Sequence, residues 1–88
     1  MRINSKLMDL SQASVGDEVR LGLPLHVDET ILRLWEMGMT PGVLVTVVRR
    51  APFGDPMELW VRGTRLCLRR SDAVRFPTEW PYGDAVPP

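Results

Sequence analysis

The sequence predicts a mainly β fold, a small antiparallel barrel of about five short strands with one or two short helices inserted. Three observations predict it. Apolar residues recur with period two in several short segments, compact Gly/Pro turns separate those segments, and helical spacing after a capping residue is confined to about residues 29–37. The 88-residue chain, 44% apolar and 25% charged, has the composition of one globular domain with a modest core. Closure into a barrel follows, because an open flat sheet of this size leaves long exposed edges.

Taken in order, residues 1–6 carry no pattern, and Leu7, Leu10 and Ala13 are spaced for a helical turn or two. Ser14–Asp17 reads as a turn, and Glu18–Leu23 as a strand with Val19, Leu21 and Leu23 on one face, ended by Pro24. Asp28 is an N-cap, Glu29 complements the helix dipole, and Ile31, Leu34 and Trp35 form one apolar stripe. Gly38 then suits the left-handed position just past the helix, and Pro41-Gly42 the centre of a type II turn. A β-branched strand follows, with Val43, Val45 and Val47 inward.

The run Ala51–Pro56 reads as a hairpin loop: Gly54 supplies positive φ, Asp55 bonds to its local backbone, and Pro56 opens the next strand. Met57, Leu59 and Val61 alternate inward against Glu58, Trp60 and Arg62. A reversal at Gly63-Thr64 leads into a strand with Leu66 and Leu68 inward and Arg65, Cys67 and Arg69 outward. Ser71 caps a single turn, and Val74–Phe76 is the fifth strand. The domain is expected over residues 1–76, with the Pro-rich stretch 77–88 as a tail outside the fold.

Formal net charge is zero, but residues 49–75 hold seven Arg against Asp55, Glu58 and Asp72. That basic half suits a solvated surface, an acidic protein or nucleic acid. The single cysteine, Cys67, excludes an intramolecular disulfide and supplies no thiolate cluster. No apolar run approaches the roughly 20 residues of a bilayer span and no secretory signal block is visible, so a cytoplasmic location is expected. His26, Asp28 and Glu29 offer three donors in four positions, but Asp28 is committed to capping and there is a single His, so no metal site is assigned. Without a nucleophile–base constellation or a phosphate loop, no catalytic residue or cofactor is assigned either.

The Met37–Gly42 turn, the Arg49–Pro56 loop, and Val61-Arg62-Gly63 running into Leu66–Ala73 together resemble the FeoA family, the small cytosolic component of bacterial ferrous iron transport. The resemblance spans about residues 15–76 and is carried by the order and spacing of these motifs. It implies an SH3-like β-barrel with added helices and a partner, the membrane permease FeoB, contacted through its cytosolic G domain. A related domain ends the metal-dependent DtxR-type repressors, but no helix-turn-helix region precedes this one. Leu32 and Trp35 in the helix and the Trp/Tyr/Pro tail depart from the family pattern.

On that reading the protein is a non-enzymatic accessory that binds and modulates the permease, with no membrane insertion and weak self-association left open. A nucleic-acid-binding SH3-like module and a metal-responsive regulatory domain are the alternatives. Partner contacts are expected at Trp60, Arg65 and Arg69, since Trp and Arg dominate interface hot spots. Leu32 and Met39 flank the inner stripe of the helix as an exposed apolar edge, and Phe53 stands at a loop tip. For Trp60 the competing expectation is packing beneath the N-terminal segment or the tail.

Overall fold

A computed structural model describes residues 9–78. A 3-10 turn, Leu10–Gln12, is followed by β1 (Glu18–Arg20), α1 (Glu29–Glu36), β2 (Leu44–Arg50), β3 (Met57–Val61), β4 (Thr64–Leu68) and α2 (Arg70–Ala73). The strands pair antiparallel in the order β1-β2-β3-β4, an unclosed sheet. The expected fifth strand at Val74–Phe76 is instead a turn leaving α2, and Phe76 is driven into the core. What draws the ends together is a pair of isolated bridges, Asp9 to Pro77 and Leu21 to Thr78, reinforced by Leu10 N–H to the Phe76 carbonyl at 3.0 Å and Gly22 N–H to the Pro77 carbonyl at 2.7 Å. Pairing thus continues two residues into the stretch expected to be tail; residues 79–88 lie outside the described ones.

The inner face of the sheet follows the period-two reading. Val19, Val45, Val47, Met57, Leu59, Val61 and Leu68 are buried, Val43 and Leu66 pack against them, and Ile31 and Leu34 of α1 close over them. Leu23 breaks the pattern. Regular pairing of β1 ends near Leu21, and Leu23 projects into solvent, while Pro24 is buried.

Helix α1 is defined at both ends by the expected residues. The Asp28 carboxylate accepts the Ile31 N–H at 3.1 Å. Beyond the C-cap Met37, Gly38 at φ 108° donates to the Trp35 carbonyl, and Met39 N–H reaches back to the Leu34 carbonyl at 3.0 Å. This pair of bonds is a Schellman motif, whose accompanying apolar contact joins the residue after the glycine to the last turn of the helix. It buries Met39 completely, correcting the expectation that Met39 belongs to an exposed edge. A Cβ at Gly38 would also lie 3.4 Å from both Val61 Cγ1 and Arg62 Cδ. Gly38→Ala is therefore expected to cost about 1–2 kcal/mol, measured by urea denaturation.

Two other junctions differ from the sequence reading. The β3–β4 reversal is centred one residue earlier, on Arg62-Gly63 at φ 50° and 83°, and joins the paired residues Val61 and Thr64. Positive φ at both central positions is the type I′ geometry that matches strand twist. Asp55 does not serve its own loop: its Oδ1 accepts the Arg70 N–H at 2.9 Å, so the start of α2 is held from the hairpin loop, and Ser71 does not cap it.

Candidate functional site

The outer face of the β2–β3–β4 meander carries the residues with the strongest recognition chemistry. Register places Trp60 between Thr46 on β2 and Arg65 on β4, and Glu58 between Arg49 and Cys67. Trp60 is 46% exposed, so its indole is available on the surface. Arg65 Nη1 meets Glu58 Oε2 at 3.2 Å, an exposed pair of the kind that contributes little to stability and rearranges readily. The sheet therefore presents an aromatic ring flanked by a guanidinium, with an acid one pair further along.

The other expected contact residues are distributed around this centre. Arg69 is exposed immediately after β4. Arg62 extends the β3–β4 turn, but its stem runs along Gly38 at the end of α1. Leu32 is exposed on α1, and Phe53 is 95% exposed at the tip of the β2–β3 loop, the end of β3 far from Trp60. The structure thus unites Trp60 and Arg65, places Arg69 past the opposite end of β4, next to the Met57–Leu68 pair, and leaves Leu32 and Phe53 as separate apolar points.

Sequence reasoning missed a second exposed apolar region. Leu23, Leu25 and Val27, between β1 and α1, all face solvent. Leu25 and His26 border a cleft of about 300 Å³ completed by Asp9, Val74, Arg75 and Pro77. The signal was available in Leu23-Pro24-Leu25: an apolar alternation continuing past a proline no longer belongs to a sheet and has lost its inner face.

At the rim of this region Asp28 pairs with Arg75 Nη2 at 3.1 Å. Its carboxyl lies below the ordinary carboxylate value, first because it accepts the Ile31 N–H and second because Arg75 bonds to it. A depressed folded-state pKa gives stability that is fully present above the ordinary value and is lost as pH falls through the depressed one. Asp28→Ala is expected to remove this acid-dependent component, whereas Asp28→Asn retains the cap and removes only the ionisation and the ion pair. Parallel urea titrations across the acidic range check this: the wild type and Asp28→Asn curves converge at the acid end, where both carry an uncharged capping side chain, while Asp28→Ala, without a cap acceptor, stays below them.

Among the described residues no group of three or more His, Cys, Asp or Glu is placed to hold a metal ion. His26 belongs to the cleft, Asp28 is engaged with α1 and Arg75, and Glu29 is exposed. Cys67 is an exposed free thiol on β4. No helix among the described residues is long and apolar enough to cross a membrane.

Comparison with known proteins agrees with the fold. The sequence profile of the FeoA domain matches residues 8–75. The FeoA protein of Chlorobium tepidum is 31% identical with a TM-score of 0.79, over 89% of this chain and 74% of that one. Stenotrophomonas maltophilia FeoA, solved with zinc and described as a prokaryotic SH3 domain protein, is 32% identical with a TM-score of 0.71, over 82% of this chain and 89% of its own. Iron(II) transport protein A of Clostridium thermocellum is 29% identical with a TM-score of 0.77; the match covers 82% of this chain but 44% of that longer one. The chain has the SH3-like fold of these neighbours and belongs to the FeoA family, which is associated with ferrous iron transport.

Proposed function

We propose that this protein is a non-enzymatic accessory of ferrous iron uptake that binds the cytosolic G domain of the permease FeoB and modulates transport from the cytoplasmic side. The observation that carries this reading is the exposed Trp60 beside Arg65, on the rigid β3–β4 hairpin. A large ring with few rotamers next to a planar cation is the composition of an interface hot spot, and its rigid support lowers the ordering cost of binding. Arg69 and Phe53, at the other end of the same meander, extend the contact, and Leu32, on the helix that covers the opposite face of the sheet, would serve a separate one. The action is by differential affinity for two states of the permease, which requires no covalent chemistry in this chain.

The nucleic-acid alternative is weakened by the way the arginines are used. Of the seven in residues 49–75, Arg50 is directed to main-chain carbonyls and the largely covered Arg75 meets Asp28. Titration of purified G domain and of full-length permease with the protein tests the reading. Trp60→Ala is expected to weaken the complex by about 2 kcal/mol, roughly thirtyfold. No complex with either form of the permease overturns the proposal.

A further inference from the structure

β4 is the last strand of the sheet, and no described residue pairs with its outer side. The turn geometry fixes which backbone groups that side offers. A two-residue loop makes its flanking residues, Val61 and Thr64, a hydrogen-bonded pair, and antiparallel pairs alternate from there. Thr64, Leu66 and Leu68 therefore direct their N–H and C=O groups to β3. Arg65 and Cys67 direct theirs outward.

Edges of this kind are ordinarily blunted by a proline, a bulge or charge. β4 contains no proline, and its register with β3 runs without interruption from Thr64 to Leu68. Its guard is charge of one sign: Arg65 within the strand, then Arg69 and Arg70 directly after it. A second copy of β4 brought alongside would set arginines against arginines. An acidic segment meets complementary charge.

We propose that the free edge of β4 accepts an extended acidic segment of a protein partner as an added strand. This deepens the adaptor reading, on whose contact surface it rests, by giving the mode of contact and the chemistry of the contacted segment. Residues of the incoming strand on the outer face lie beside Arg65 and Cys67 and carry the carboxylates. Those on the inner face lie beside Leu66, which is only partly buried, and Leu68, and are apolar. The recognised pattern is an alternation of acidic and apolar residues: main-chain bonds supply affinity and alternate side chains supply selectivity.

The test uses the full chain and a blocked synthetic peptide of alternating Glu and Val, followed by NMR amide exchange. The N–H groups of Arg65 and Cys67 are expected to gain at least about tenfold protection, while that of Leu66, already bonded to β3, changes little. Cys67→Pro deletes an outward donor without removing a ladder bond, as edge positions tolerate. It is expected to weaken peptide binding about tenfold, whereas Cys67→Ala binds as the wild type does. Arg65→Glu, and the same peptide N-methylated at alternate amides, are expected to lose binding too, which keeps the test decisive if Cys67→Pro does not fold.

An absence of binding at millimolar peptide overturns the proposal. So does protection confined to other residues, equal binding of a Lys/Val peptide, or preferential protection of the same amides by single-stranded RNA. Equal binding of permease G domain to the wild type and to folded Cys67→Pro overturns the edge site and leaves the adaptor reading standing. Peptide binding without any permease complex does the reverse.

Discussion

Phe76→Ala is expected to destabilise the protein by about 3–5 kcal/mol, the largest loss from any single truncation described above. Phe76 is the largest of the completely buried side chains. It enters the core from an irregular segment, so its removal leaves a cavity that neighbouring strands, pinned by their ladders, can fill only in part. The effect also propagates. The Phe76 carbonyl holds Leu10 N–H, and the next two residues bridge to Asp9 and Leu21, so the 3-10 turn and the end of β1 lose their anchor together. Small domains have total stabilities of about 5–15 kcal/mol, and such a loss brings this one near unfolding at ordinary temperature. Phe76→Leu retains most of the volume and is expected to cost under about 1.5 kcal/mol. Urea denaturation of the two variants, with coincident transitions by fluorescence and circular dichroism, measures both. A loss under about 1.5 kcal/mol for Phe76→Ala would show instead that the core collapses around the vacancy.

The segment around Phe76 also shows where local patterns stop being informative. Val74-Arg75-Phe76 has the alternation of a strand, and period two says which side a residue faces only if a neighbouring strand is there to receive its backbone. Here α2 is followed by a turn, and pairing resumes at Pro77 and Thr78. The long alternations were legible because each has partners on the sheet: Val45 and Val47, Met57, Leu59 and Val61, and Leu68 all face inward as read. Turn chemistry was legible too where one residue type is required, as in the Pro41-Gly42 turn closed by Val43 N–H on the Thr40 carbonyl.

Within the candidate site, Trp60 and Arg65 could be placed on one face from alternation alone. Their adjacency needed the register, which follows from the position of the two-residue turn. Met39 was misread for a different reason. Gly38 signals the Schellman geometry, and that geometry already implies that an apolar residue after the glycine packs on the helix.

Arg50→Met is expected to cost about 2–3 kcal/mol, and Arg50→Lys to recover less than half of it. The cause is a parity change that composition cannot reveal. Val47 pairs with Leu59 and Arg49 with Glu58, so Val48 is the extra residue of a bulge. Beyond the bulge the strand faces are exchanged: Arg49 joins Glu58 on the outer face, and Arg50, opposite Met57, turns to the inner side. There its guanidinium donates from Nη1 to the Gly54 carbonyl at 2.9 Å and from Nη2 to the Ser11 and Ala13 carbonyls, each at 2.6 Å. One side chain thus ties the 3-10 turn to the loop that holds Phe53 and Asp55, and through Asp55 to the start of α2. Met matches the stem but leaves these carbonyls without their charged donor. Lys brings a single ammonium that cannot reproduce the planar fork. With a denaturant slope near 1 kcal/mol/M for a domain this small, the urea midpoint of Arg50→Met falls by about 2–3 M. Arg49→Met, one residue earlier on the outer face, is expected to shift it by less than about 0.5 M, and that contrast between adjacent arginines is the measurement that isolates the bulge.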